Sequence, residues 1–179
     1  IMLYDSTTGH RVKEPRSYVS WVHTELKLQD YNLKQCLCGE HLLSEKPTKP
    51  VAIVESEKSA LIATHYMPEF IWLATGGMHG CFKFDVVNVL KGRSVMLCPD
   101  LGAKEVWQAK MPLLTSVCSK VVLSGSLEQC ATDEQRKYGL DIVDFLLMTD
   151  TPQIILDKMI QRNPALQTLI NLSLIHISE

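Results

Sequence analysis

Apolar residues in the middle of the chain gather into short, separated runs. Val51-Ala-Ile-Val54, Phe70-Ile-Trp-Leu-Ala74, Ser94-Val-Met-Leu-Cys98 and Lys120-Val-Val-Leu-Ser124 are nearly continuous rather than alternating. A continuous run of this length suits a strand covered on both faces, as in a parallel sheet. Helical spacing fills the intervals. Glu57 to Met67 places Ala60, Leu61, Thr64 and His65 at helical intervals, and Pro68 closes it. Phe84 to Leu90 predicts a second helix, with Gly92 behind it, and Ala103 to Leu114 a third. Strands alternating with helices at this spacing predict a parallel sheet with right-handed crossovers.

The flanks read differently. Met2-Leu3-Tyr4, a turn at Asp5 to Gly9, and His10 to Lys13 suggest a β-hairpin, with Gly9 supplying a turn conformation. Pro15 ends it. Val19, Val22 and Leu26 predict a helix over Ser17 to Leu28, and Leu33 to Leu43 a second short one. The polar stretch Ser44 to Pro50, with two prolines, reads as a linker. Thr151-Pro152 opens a C-terminal helix running to about Met159. The resulting division is an N-terminal hairpin and helical arm (1–49), an α/β domain (50–150), a C-terminal helix (151–170) and a tail (171–179). The Ile1-Met2 start suggests a truncation or an extra residue before a start codon. The apolar tail from Asn171 resembles vector read-through, and no function is assigned to it.

Composition adds limits. The chain has 179 residues, 46% hydrophobic and 21% charged, which suits one domain with an extra arm. A formal net charge of -2 excludes a global basic field for nucleic acid but leaves room for a local one. No apolar stretch approaches the ~20 residues that cross a bilayer, and no signal peptide is visible. Of the six cysteines only Cys36 and Cys38 form a close pair. No second pair faces them, as a four-ligand zinc site requires. Cys98, Cys118 and Cys130 read as small buried hydrophobes, and the scatter of thiols fits a reducing cytoplasm.

Candidate chemistry lies where ligands bind in parallel sheets, beyond the carboxyl ends of the strands. Glu55 follows the first strand, Thr75-Gly76-Gly77 the second, and Asp100 the third. Two carboxylates at adjacent strand ends suit Mg²⁺, which takes one or two carboxylates plus water and substrate phosphates. A carboxylate after a strand also serves as a helix cap or turn former. The Gly76-Gly77 turn is an alternative phosphate site in a nucleotide-binding domain.

Val51-Ala-Ile-Val-Glu55-Ser-Glu-Lys58-Ser-Ala60 resembles the opening of the toprim domain of primases and topoisomerases: hydrophobic strand, Glu, small residue, helix. The Glu-Ser stretch with its following Lys is close to type IA topoisomerases. Phe70 to Gly77 resembles the second strand and its glycine turn. Val95-Met-Leu-Cys-Pro-Asp100-Leu-Gly102 stands where toprim proteins carry Asp-x-Asp. Gly139-Leu-Asp141-Ile-Val-Asp144-Phe-Leu-Leu resembles the late acidic segment of primase toprim domains. The resemblance covers about residues 50–147 and is strongest to primase-like toprim proteins of Bacteroidetes mobile elements.

That resemblance implies a toprim-like Rossmannoid fold with a mostly parallel four-stranded sheet flanked by helices. It implies Mg²⁺ or Mn²⁺ held by Glu55 and Asp100 with help from Asp141 or Glu57. Glu55 and Asp100 would be the catalytic pair, with Glu55 as general acid or base. One departure matters: Gly102 stands where the second Asp is expected. The implied function is primase-type nucleotidyl transfer in DNA replication of a mobile element. The implied partners are DNA or RNA, with a helicase or other replication proteins. The alternative is a degenerate module that binds nucleic acid or protein without chemistry.

Other residues carry weaker expectations. Gly76, Gly77, Lys58 and Lys104 are candidate phosphate contacts, although a solvated lysine is the commoner case. Glu57 suits the first turn of a helix. His79 sits in the second glycine loop. Trp21, Trp72 and Trp107 lie in apolar contexts and read as core. A stacking platform for bases needs exposed aromatics near basic residues, and the sequence shows none.

Overall fold

The computed structural model describes residues 1–7, 12, 14–148, 157, 160, 161, 164, 165, 167 and 168. The chain divides into two compact units, residues 1–34 and 35–179. The helix expected over 152–159 falls almost wholly outside the described residues, and the tail at 171–179 falls entirely outside them.

The second unit is built on four strands: β1 (Val51–Val54), β2 (Ile71–Ala74), β3 (Ser94–Leu97) and β4 (Lys120–Leu123). They pair in the order β2-β1-β3-β4, all parallel. The α-helices with bounds within the described residues are α1 (Val22–Glu25), α2 (Leu42–Glu45), α3 (Glu57–Tyr66), α4 (Phe84–Val87), α5 (Lys104–Gln108), α6 (Met111–Thr115), α7 (Ser126–Cys130), α8 (Asp133–Tyr138) and α9 (Ile142–Met148). The chain is α/β, a four-stranded parallel sheet flanked by helices. None of the helices among the described residues is long and apolar enough to cross a membrane.

Period-two alternation within the continuous apolar runs sorts their side chains to two faces. Val51, Ile53, Leu73, Val95 and Leu97 pack with Val87, Leu90, Trp107 and Leu114 on one side. Ala52, Val54, Trp72, Ala74 and Cys98 pack with Ala60 and Ala63 of α3 and Val143 of α9 on the other. All residues of β1 and β2 are buried, as covered strands require. β4 is only half covered, in keeping with its place at the edge.

Several expectations need correction. Residues 35–49 belong with the sheet rather than with the arm, because Leu37 and Leu43 are buried in its core. The expected helix over Leu33 to Leu43 is replaced by extended chain. Cys38 bridges antiparallel to Ala74, its N–H donating to Ala74 O at 2.9 Å, which covers the open edge of β2. The segment after it is clamped by Arg93, whose guanidinium donates to the carbonyls of Leu43, Lys46 and Lys49. The helix expected over Ala103 to Leu114 is two short helices, broken at Ala109 and Lys110 just before Pro112, whose ring has no N–H to continue the ladder. Cys130 is exposed, whereas Cys98 and Cys118 are buried.

In the first unit, one rung of the expected hairpin is present, Val12 N–H to Leu3 O at 2.9 Å. In its turn Thr7 N–H donates to Asp5 Oδ1 at 3.0 Å, and residues 8–11 lie outside the described residues. The expected helix over Ser17 to Leu28 shrinks to the single turn of α1, with no buried residue.

Candidate functional site

The strand order reverses direction at β1. The chain first adds β2 on one side and then crosses to β3 on the other. Beyond the carboxyl ends of β1 and β3 the connections diverge and leave a crevice, the usual ligand position in an open parallel sheet. Glu55 follows β1 there, and Asp100 follows β3 by way of Cys98 and Pro99. Cys98 N–H still donates to Ile53 O at 2.8 Å, so the two exits begin in register. Glu55 and Asp100 therefore leave the same end of the sheet from neighbouring strands.

Glu55 is only 7% exposed, yet its Oε1 has no hydrogen-bond partner. A buried carboxylate oxygen without a donor is costly unless a proton or a cation completes it. Burial pushes the Glu55 carboxyl above its ordinary range, and the charge of Asp141 adds to the shift. The main chain of Asp100 and the charge of His79 act the other way. Asp100 is pushed up to about 7, first by burial and then by Glu55, Asp141 and Asp144, while Lys58 opposes. Both shifts describe buried carboxylates whose desolvation and mutual repulsion outweigh the positive charge near them.

Asp141 is buried to the same degree, but its oxygens are spent. Oδ1 accepts from Asp144 N–H at 2.9 Å, and Asp144 Oδ2 accepts from Asp141 N–H at 2.9 Å. This reciprocal pair caps α9. Oδ2 of Asp141 accepts from the buried hydroxyl of Ser59 on α3. Asp141 is thus a helix cap that ties α9 to α3, and among the described residues it completes no three-ligand group with Glu55 and Asp100. Asp-x-x-Asp directly before an apolar run is itself a capping pattern, so the sequence carried the signal.

The glycine turn is also committed. Gly76 and Gly77 N–H both donate to Glu55 O, at 2.9 and 3.0 Å. Those amides are not available to a phosphate, which removes the Gly76-Gly77 alternative. Their role is to fix the backbone of Glu55. The rest of the loop is pinned by Thr75 Oγ1 donating to Gly77 O at 2.9 Å and the buried Trp107 indole donating to Met78 O at 3.0 Å. Gly80 must be glycine, since a Cβ would lie 2.6 Å from that of Thr75.

Of the two lysines, Lys58 is exposed and its charge reaches Asp100. Lys104 instead lines a cleft of about 330 Å³ with Gly102, Glu105, Glu128 and Arg136. Arg136 is held there by Glu128 and by the Ala131 carbonyl. Gly102 has φ +89° and open space where a Cβ would stand. The missing acid is therefore not a simple side-chain loss: the turn has a conformation that L side chains rarely adopt. A separate apolar cleft of about 200 Å³ sits at the opposite ends of the strands and is lined by no carboxylate.

Among the described residues no group of three or more His, Cys, Asp or Glu is placed to hold a metal ion. Glu55 and Asp100 alone suit a cation that keeps its waters and is completed by substrate phosphates. The unpartnered Oε1 is the feature that such an ion would satisfy.

Sequence reasoning left three contributors without a role: His79, whose charge acts on Glu55; Ser59, which anchors Asp141; and Trp107, which holds the glycine loop. No curated protein and no solved structure matches the chain. One family model matches residues 1–101, a span that includes both Glu55 and Asp100. With more than half of its length matched, the chain belongs to the family described as a domain of unknown function, DUF6371.

Proposed function

We propose that this chain is a toprim-like module that engages nucleic-acid phosphates through a divalent cation, Mg²⁺ or Mn²⁺, shared by Glu55 and Asp100. The observation that carries this reading is the buried, unpartnered Oε1 of Glu55 beside an Asp100 whose carboxyl is pushed up to about 7. A cation at that place relieves both burdens, and a phosphate supplies the ligands the protein lacks. With Gly102 in place of a third acid and Asp141 spent on capping, the reading favours binding over turnover. A cytoplasmic setting in mobile-element replication, with a helicase among the partners, goes with it.

A second reading has one observation in its favour. A carboxyl near 7 holds a proton at neutral pH, as a general acid or base does. Asp100 would then serve a primase-type nucleotidyl transfer.

Fluorescence anisotropy of a labelled single-stranded oligonucleotide in Mg²⁺ and in EDTA tests the proposal. The expected result is a cation-dependent gain in affinity that Glu55→Gln and Asp100→Asn both abolish. Equal gains in wild type and variants would remove the site. Primer synthesis by wild type, absent in Asp100→Asn, would select the second reading.

A further inference from the structure

The first unit contradicts the expectation that all three tryptophans are core. Trp72 and Trp107 are buried, but Trp21 is 57% exposed. It begins a row of rings. Trp21 and His23 lie 6.2 Å apart between centroids, at 35°. His23 and Tyr31 lie 4.4 Å apart at 6°, a face-to-face stack. Tyr31 is 47% exposed, so the row ends in solvent on both sides.

Local chemistry builds this row. The Trp21 carbonyl accepts from Thr24 and Glu25 N–H, both at 3.0 Å, which starts the single turn of α1. Lys27, with φ +51°, turns the chain out of that helix, and Leu28 N–H returns to His23 O at 3.0 Å. That bend brings Tyr31 over His23. Glu25 accepts from the hydroxyls of Tyr18 and Ser20, so its charge is braced within the unit.

We infer that residues 1–34 form a docking platform for single-stranded nucleic acid, with unpaired bases stacking on the open faces of Trp21 and Tyr31. Base stacking on exposed aromatics tolerates any sequence and suits a small, weakly basic surface. Charge fits this occupant. Arg11, Lys13, Arg16, Lys27 and Lys34 outnumber Asp5, Glu14, Glu25 and Asp30 in this unit, while the rest of the chain is net acidic. Lys27 and Lys34 form no ion pair among the described residues. A core role is excluded, because no described residue of the unit is buried. The inference deepens the nucleic-acid reading above, but it rests on the rings and not on the cation.

The test is tryptophan fluorescence of the full chain titrated with oligo-dT or oligo-U in EDTA, which separates it from the cation site. Since Trp72 and Trp107 are buried, quenching reports on Trp21. Expected are saturable quenching by single strands, weaker binding of a duplex of equal length, and, in Trp21→Phe, loss of the quenching signal with binding by anisotropy retained. Binding followed by anisotropy should weaken about tenfold in Trp21→Ala and in Tyr31→Ala, within the range measured for loss of one base stack. No quenching, duplex binding as tight as single-strand binding, or unchanged affinity in Trp21→Ala would overturn the inference. So would a concentration-dependent dimer that Trp21→Ala dissolves, since the rings would then serve a second copy. A lost cation effect with quenching intact would sink only the Glu55–Asp100 reading.

Discussion

Glu55 and Asp141 are carboxylates with the same exposure, 7%, and the charge of Asp141 acts on Glu55. One has a buried oxygen without a partner. The other accepts from Asp144 N–H and from the Ser59 hydroxyl. Burial alone does not separate function from structure here; satisfaction does. A buried acid whose oxygens both have partners in the fold is a fastening. A buried acid left open at a strand switch point keeps its capacity for something from outside. The resemblance grouped both as metal ligands because both are acidic residues in the expected segments.

The largest effect that tests this contrast is on stability. Asp141→Ala removes a helix cap and a charge-assisted hydrogen bond, and should cost about 2–4 kcal/mol in urea unfolding. Glu55→Gln should unfold at the same denaturant concentration as wild type or higher, since it removes a desolvated charge with an unmet oxygen. Equal losses in both variants would erase the distinction.

Next comes pH. Asp100 has a folded-state pKa raised from 3.8 to about 7. The folded state therefore holds a proton that the unfolded state has already released in this window. The stability it contributes is complete below about pH 4 and is lost as pH rises through about 7. Without divalent cations, wild type should lose melting temperature across that range, and Asp100→Asn should show a flatter profile. A wild-type profile that rises with pH across the window would contradict the crowding of charge at the crevice.

The smallest effect concerns the missing acid. Gly102→Asp forces a side chain into φ +89° and should cost about 1 kcal/mol. It should add no cation affinity, because open space at that turn offers the new carboxylate nothing to hold it toward Glu55. A gain in Mn²⁺ affinity, read by isothermal titration, would mean that the crevice was one residue short of a full site.

Much of the fold was legible because the strands are covered on both faces. Such burial leaves continuous apolar runs, and each of the four strands lies within one residue of its expected span. The short N-terminal segments were not legible for the opposite reason. Val19, Val22 and Leu26 have helical spacing, but no core lies beneath them, and only one turn forms. Cys38 is extended because it pairs with Ala74, a partner distant in sequence that no local pattern announces. Of the site, the placement of Glu55 and Asp100 after neighbouring strands was legible from the apolar runs alone. The capture of the Gly76 and Gly77 amides by the Glu55 carbonyl was not, because it depends on the path of the backbone after β2. The capping role of Asp141 was announced by its spacing to Asp144 but went unread.

The central claim is that Glu55 and Asp100 form one cation site, and the melting temperature at pH 8 with and without Mg²⁺ or Mn²⁺ tests it most directly. Asp100, pushed up to about 7, is then largely ionised, and ion binding to the folded state alone must raise stability. The account expects a rise in wild type that saturates with cation, and none in Glu55→Gln or Asp100→Asn. An equal rise in all three proteins, or no rise in wild type, would contradict it.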